Sequence, residues 1–179
     1  MQEPTDLIVV FDLLEDGFQF WFFPAIGLVV FAAGLVTAVS AMKKGMGLLK
    51  ASVLPSFALL WTALAFVSTY GKYAALKEAY EDGHYETVEG FVEFFKPYPS
   101  GTDKKGETGY EVFRVGEHRF AFSARGMKSE YNTPRSKGSP IGPGVYVLIH
   151  HVGGRIVHLE AERQAIGYEY GKKLGLKNF

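Results

Sequence analysis

Two stretches decide the fold of this chain: Phe20 to Met42, FWFFPAIGLVVFAAGLVTAVSAM, and Ala51 to Tyr70, ASVLPSFALLWTALAFVSTY. Neither contains Asp, Glu, Lys, Arg or His. Each is long enough to cross a hydrocarbon core of roughly 30 Å, which takes about 20 helical residues. The pattern predicts a membrane helical hairpin with spans at 20–42 and 51–70. Beyond Tyr70 the stretch KYAALKEAYED (Lys72 to Asp82) keeps helical composition, and Gly83 is a natural C-terminal cap. The second helix is therefore expected to continue to about Asp82.

The flanking charges orient the hairpin. The tail before the first span holds Glu3, Asp6, Asp12, Glu15 and Asp16 and no Lys or Arg. The link between the spans holds Lys43, Lys44 and Lys50 and no acid. Short basic loops stay in the cytoplasm. The expected location is the bacterial inner membrane, with loop 43–50 cytoplasmic and both termini outside. A cleaved signal peptide ending near Val39-Ser40-Ala41 is the competing reading. The acidic n-region and the length of the apolar run argue against it.

Within the spans, Gly34 and Ala38 have the small-xxx-small spacing that allows close helix approach, and Ser56, Ala58, Thr62, Ala63 and Ala65 offer a matching face. A tight antiparallel hairpin is the simplest use of both, with homo-oligomer packing as the alternative. Pro24 and Pro55 are expected in or near first turns. Trp21, Phe22, Phe23, Tyr70 and Tyr73 fit an aromatic belt. A proton or ion path usually needs a titratable group inside the membrane, so transport by this chain alone is not expected. Leu7 to Leu14, LIVVFDLL, is either a strand docked on the outer domain or an interfacial segment.

After Gly83 the apolar period changes to two. Strands are expected at about Tyr85–Phe95, Tyr110–Val115, His118–Ser123, Val145–Val152 and Arg155–Glu162. Gly116-Glu117 and Gly153-Gly154 are hairpin turns, and the first of them pairs Phe113 with Phe120. Ser100–Gly109 is a polar loop. Ala124–Gly144 holds three of the eight prolines and four glycines, a long loop of the kind that often carries function. The fold class is thus a two-helix transmembrane hairpin followed by a five-stranded antiparallel small β-barrel of OB or SH3 type. The expected divisions are an outer segment at 1–18, the hairpin at 19–83, the barrel at 84–162 and a C-terminal tail at 163–179, covering an open barrel edge or mobile.

The stretches EAYEDGHYETVEGFVEFFKP, EVFRVGEHRFAFS and GSPIGPGVYVLIHHVGGRIVHLE, with FDLLEDGFQFWFF near the start, resemble an uncharacterised family of small bacterial membrane proteins. The matching blocks are VEGxV at Val88–Val92, VGxxRFxFS at Val115–Ser123 and the Gly-Pro-rich lead at Gly138–Val147. The resemblance implies a helical hairpin followed by an extracytoplasmic β domain. It implies no activity.

Chemistry is sparse. Cysteine is absent, which removes disulfides, thiol catalysis and thiolate metal sites. From residue 71 on there are 16 basic and 14 acidic residues, too even a balance for nucleic-acid binding. Arg125, Lys128, Arg135 and Lys137 interleave with Tyr131 in the long loop. The outer location argues against nucleic acid there, and solvation or contact with lipid headgroups accounts for them. Ser123, Ser136 and Ser139 lack a nucleophile elbow, Lys137-Gly138-Ser139 lacks the glycine pattern of a phosphate loop, and no enzyme is expected. The Gly153-Gly154 turn sets His151 against Ile156 and His158 against Ile149, so that His151, His158 and Glu160 share one face. Two imidazoles and a carboxylate are plausible zinc or copper ligands, and these three are the candidate metal set. No cofactor is called for. The leading expectation is an inner-membrane protein whose periplasmic domain binds a protein or envelope component, through Ala124–Gly144 and the last helix turn before Gly83. The partners are then the bilayer and a protein, or further copies of the chain. The alternatives are a metal-binding accessory protein and a structural subunit of a larger membrane complex.

Overall fold

The computed structural model describes residues 6–97, 110–123 and 128–165. The predicted loop at 100–109 and the tail beyond residue 165 lie outside these. The elements run β1 (Leu7–Asp12), α1 (Leu13–Asp16), α2 (Phe22–Lys43), α3 (Leu48–Glu81), β2 (Glu86–Lys96), β3 (Glu111–Val115), β4 (His118–Phe122), β5 (Tyr146–Val152) and β6 (Arg155–Glu162). Single 3-10 turns occupy Arg135–Lys137 and Arg163–Ala165. The chain forms two compact units: Met1–Gly17 with Leu76–Phe179, and Phe18–Ala75.

In the Phe18–Ala75 unit, α2 and the greater part of α3 make an antiparallel hairpin. Both helices are long and apolar enough to cross a membrane. Only 17% and 22% of their apolar windows are buried, far less than in the core helix of a globular domain. Leu28, Val29, Leu35, Val36, Leu60 and Leu64 all point outward. The inner seam is built from small residues. A Cβ placed on Gly27 would overlap Thr62 Oγ1, and one on Gly34 would lie 3.3 Å from the Pro55 backbone. Gly34 and Ala38 are both buried, as the small-xxx-small spacing requires. Pro24 lies in the first turn of α2, as expected. Pro55 does not lie in a first turn, because α3 already begins at Leu48. Its ring sits instead where the missing side chain of Gly34 leaves room.

The other unit holds one six-stranded sheet in the order β1-β6-β5-β2-β3-β4, every pair antiparallel. The five predicted strands are all present within a residue or so, and Phe113 pairs with Phe120. The five-stranded closed barrel is not. Leu7–Asp12 supplies a sixth strand on the outer edge of β6, and β1 and β4 remain as two separate edges. With β1 occupying residues 158–162 of β6, that stretch is closed to β4. At the other end of β6, Ile156 O accepts a hydrogen bond of 3.0 Å from Tyr131 N, so the segment around Tyr131 fills the gap where a barrel ladder would close.

Strand β2 curls the sheet. Glu86–Phe91 pairs with β5, whereas Val92–Lys96 pairs with β3, with a register shift between Val92 and Phe94. Gly90 sits at the changeover at φ +146°, a conformation open to glycine. The curl wraps Val92, Phe113, Val115, Phe120, Ile141, Val147, Ile149, Val157 and Leu159 into one core. The α3 helix ends as predicted: Gly83 has φ +75°, and Gly83 N and His84 N bond to Tyr80 O and Ala79 O.

Candidate functional site

The β5–β6 hairpin positions the histidines. Successive strand residues face opposite ways, so His150 and His151 lie on different faces. From the Gly153-Gly154 turn the pairing runs Val152 with Arg155, then His151 with Ile156, as expected. A bulge follows, and His150, not Ile149, stands opposite His158. Val157 is the residue left over. One extra residue in β6 thus moves His158 to the face of His150. The expected set of His151, His158 and Glu160 is not brought together: His158 and Glu160 meet, and His151 lies on the other face.

The first face carries a polar chain anchored on the N-terminal strand. His158 Nδ1 is 2.8 Å from Asp12 Oδ2, and Nε2 is 3.1 Å from Glu160 Oε1. A neutral imidazole donates through one nitrogen only, whereas an imidazolium donates through both and satisfies both carboxylates. Tyr80 from the end of α3 donates its hydroxyl to Asp12 Oδ2 at 3.3 Å. Asp12 Oδ1 also caps α1, accepting from Leu14 N and Glu15 N. Burial alone would raise the Asp12 pKa. The hydrogen bonds from His158, Leu14 and Glu15, with the His158 charge, outweigh it and hold the carboxyl below its ordinary value. Behind His158 the rings stack: His150 lies 5.0 Å from His158, and Tyr85 lies 4.5 Å from His150. Burial, followed by the charge of His158, pushes the His150 pKa down.

The second face carries His151, buried at 4% exposure. Its direct cross-strand partner is Glu86. The curl of the sheet brings His118, the first residue of β4, within 5.3 Å of the His151 ring, and Phe120 within 5.2 Å. One ligand atom each from Glu86, His118 and His151 lies within 4.8 Å of the other two. Burial pushes the His151 pKa down, with His118 adding to the effect and Glu86 opposing it.

The predicted loop surface is in large part interior. Tyr131, Pro134, Ser139, Pro140, Ile141 and Gly142 are buried, and Arg135–Gly138 is exposed. Ser139 Oγ accepts from Tyr131 Oη at 2.7 Å and from Ile141 N at 3.1 Å, a structural tie. The buried Glu111 carboxylate accepts from Arg135 N at 3.0 and 3.2 Å and pins the 3-10 turn. Lys128 pairs with Glu130, and Arg135 lies over the Phe95 ring, so these two charges are locally engaged. Arg125 lies outside the described residues.

Sequence reasoning missed Asp12, Tyr80, Glu86 and His118. Asp12 carried a legible signal, an N-cap residue ending an apolar run. The others join their clusters only through the curl of the sheet and the end of α3.

No protein-family model, no curated protein and no solved structure matches this chain.

Proposed function

We propose that this protein is a bacterial inner-membrane protein whose hairpin holds a β domain outside the cytoplasm, where the domain binds another protein of the cell envelope. One observation carries the reading. Strand β1, before the two apolar helices, pairs with β6, after them. The segments on either side of the hairpin thus belong to one domain, and the chain makes an even number of crossings between them. The purely basic loop with Lys43, Lys44 and Lys50 favours the cytoplasm for the loop, which supports an outer position for the domain. The spans hold no Asp, Glu, Lys, Arg or His, which suits an anchor more than a pathway. The resemblance to small membrane proteins with an outer β domain agrees.

The absence of native cysteine makes the test clean. Met46→Cys in the loop and Thr87→Cys on β2 are treated in cells with a permeabilised outer membrane, using a membrane-impermeant maleimide. The expected result is labelling of Thr87→Cys at once and of Met46→Cys only after lysis. The opposite pattern overturns the orientation. Purification of the full chain in mild detergent then tests the binding role. A stoichiometric envelope protein supports it, and a chain that elutes alone overturns it.

A further inference from the structure

We infer that Glu86, His118 and His151 form a binding site for a divalent transition metal, with zinc as the ion it fits. The site is separate from the binding role proposed above and rests on different residues.

Three independent strands contribute: Glu86 opens β2, His118 opens β4 and His151 lies near the end of β5. Their ligand atoms all lie within 4.8 Å of one another. Two zinc-bound nitrogens at bonds of about 2.0–2.1 Å and a tetrahedral angle stand roughly 3.4 Å apart, with ring centres about 5 Å apart. The His118 and His151 rings already stand 5.3 Å apart. Glu86 and His118 are the two exposed members of the group, and His151 is the buried one.

The second observation is His151 itself. It is buried at 4% exposure, and its Nε2 has no hydrogen-bond partner among the described residues. Buried imidazole nitrogens are normally satisfied, and a metal ion satisfies this one. Its Nδ1 makes only a long contact, 3.4 Å from Gly154 N. Metal binding at Nε2 puts the ring proton on Nδ1, which gives up the contact with the Gly154 amide and requires a new acceptor for Nδ1. Burial favours the neutral ring, the form that ligates. Phe120 packs against His151 at 5.2 Å and limits solvent access from one side. Two imidazoles and a carboxylate are a nitrogen–oxygen set suited to zinc, and three protein ligands leave a fourth position for water or an external group.

The test is titration with Zn2+ alone of the detergent-solubilised full chain, after stripping with a chelator, against a chromophoric competitor. One zinc per chain is expected. His118→Ala and Glu86→Gln, both at exposed positions, are expected to weaken binding. His118→Ala should do so by more than about 100-fold, since loss of an outer-shell partner already costs about 10- to 100-fold. Circular dichroism of each variant reports whether the sheet is kept. Absence of stoichiometric zinc in the parent chain overturns the proposal. So does zinc binding that Glu86→Gln and His118→Ala leave unchanged, or that is lost only on His158→Gln, which lies on the opposite face.

Discussion

Asp12 and His158 stand 146 positions apart in the chain and 2.8 Å apart in space. Asp12 closes strand β1 and caps the turn that leads to the first apolar helix, and His158 lies on the last strand of the sheet. One carboxylate thus joins the two ends of the β domain across everything made between them.

Asp12→Ala removes the helix cap and the His158 contact together. The expected cost is about 1–3 kcal/mol of domain stability. Chemical unfolding in detergent, followed by tyrosine and tryptophan fluorescence, measures it. Amide exchange should show the loss concentrated in residues 7–14.

Acid weakens the domain in two steps. His150 and His151 have folded pKa values below the ordinary 6.5. The unfolded chain therefore takes up protons first, and their contribution is complete above about pH 6.5 and lost as pH falls. His150 faces Tyr80, Tyr85, His158, Asp12 and Glu160, and His151 faces Glu86, His118 and Phe120. Asp12 acts lower: its depressed pKa gives stability that is present above the ordinary 3.8 and lost as pH falls through the folded value. Thermal midpoints should drop between neutral pH and pH 5.5, and His150→Gln should flatten that drop.

Gly27→Leu forces a side chain into the space held by Thr62 and Trp61. Overpacking of this kind costs about 1–3 kcal/mol. The hairpin is expected to splay and to unfold at lower temperature in detergent, whereas Leu28→Ala, on the outward face, should leave the midpoint nearly unchanged. Equal effects of the two would refute the seam.

Glu111→Ala leaves the Arg135 amide without its buried acceptor. A loss of about 1–3 kcal/mol is expected, with faster proteolysis after Arg135 or Lys137. Glu111→Gln keeps an acceptor oxygen and should lose less.

Much of the architecture was legible because apolar spacing reports it directly. The two uncharged runs marked the helices, and Gly116-Glu117 and Gly153-Gly154 marked the hairpins to the residue. What failed was long-range. Leu7–Asp12 has the composition of a strand, but nothing local says that its partner is β6, so the sheet was expected to be one strand short and closed. The bulge at Val157 has no sequence mark, yet it decides which histidine faces which. His151 was expected beside His158 and lies beside Glu86 and His118. In the segment after residue 128, proline and glycine content signalled a loop without revealing that Tyr131 and Ile141 are core residues.

The pairing of β1 with β6 also orders events in time. Strand β1 must wait for β6, which is made after both apolar helices and the four strands described between them. Local contacts form early, and distant ones only after the chain between them is made. Any copy that stops before Arg155 carries Leu7–Asp12 with neither side paired, whereas β6 holds one side of it in the finished sheet. The first strand therefore doubles as a mark of incompleteness, open to proteases until the last hairpin arrives to cover it.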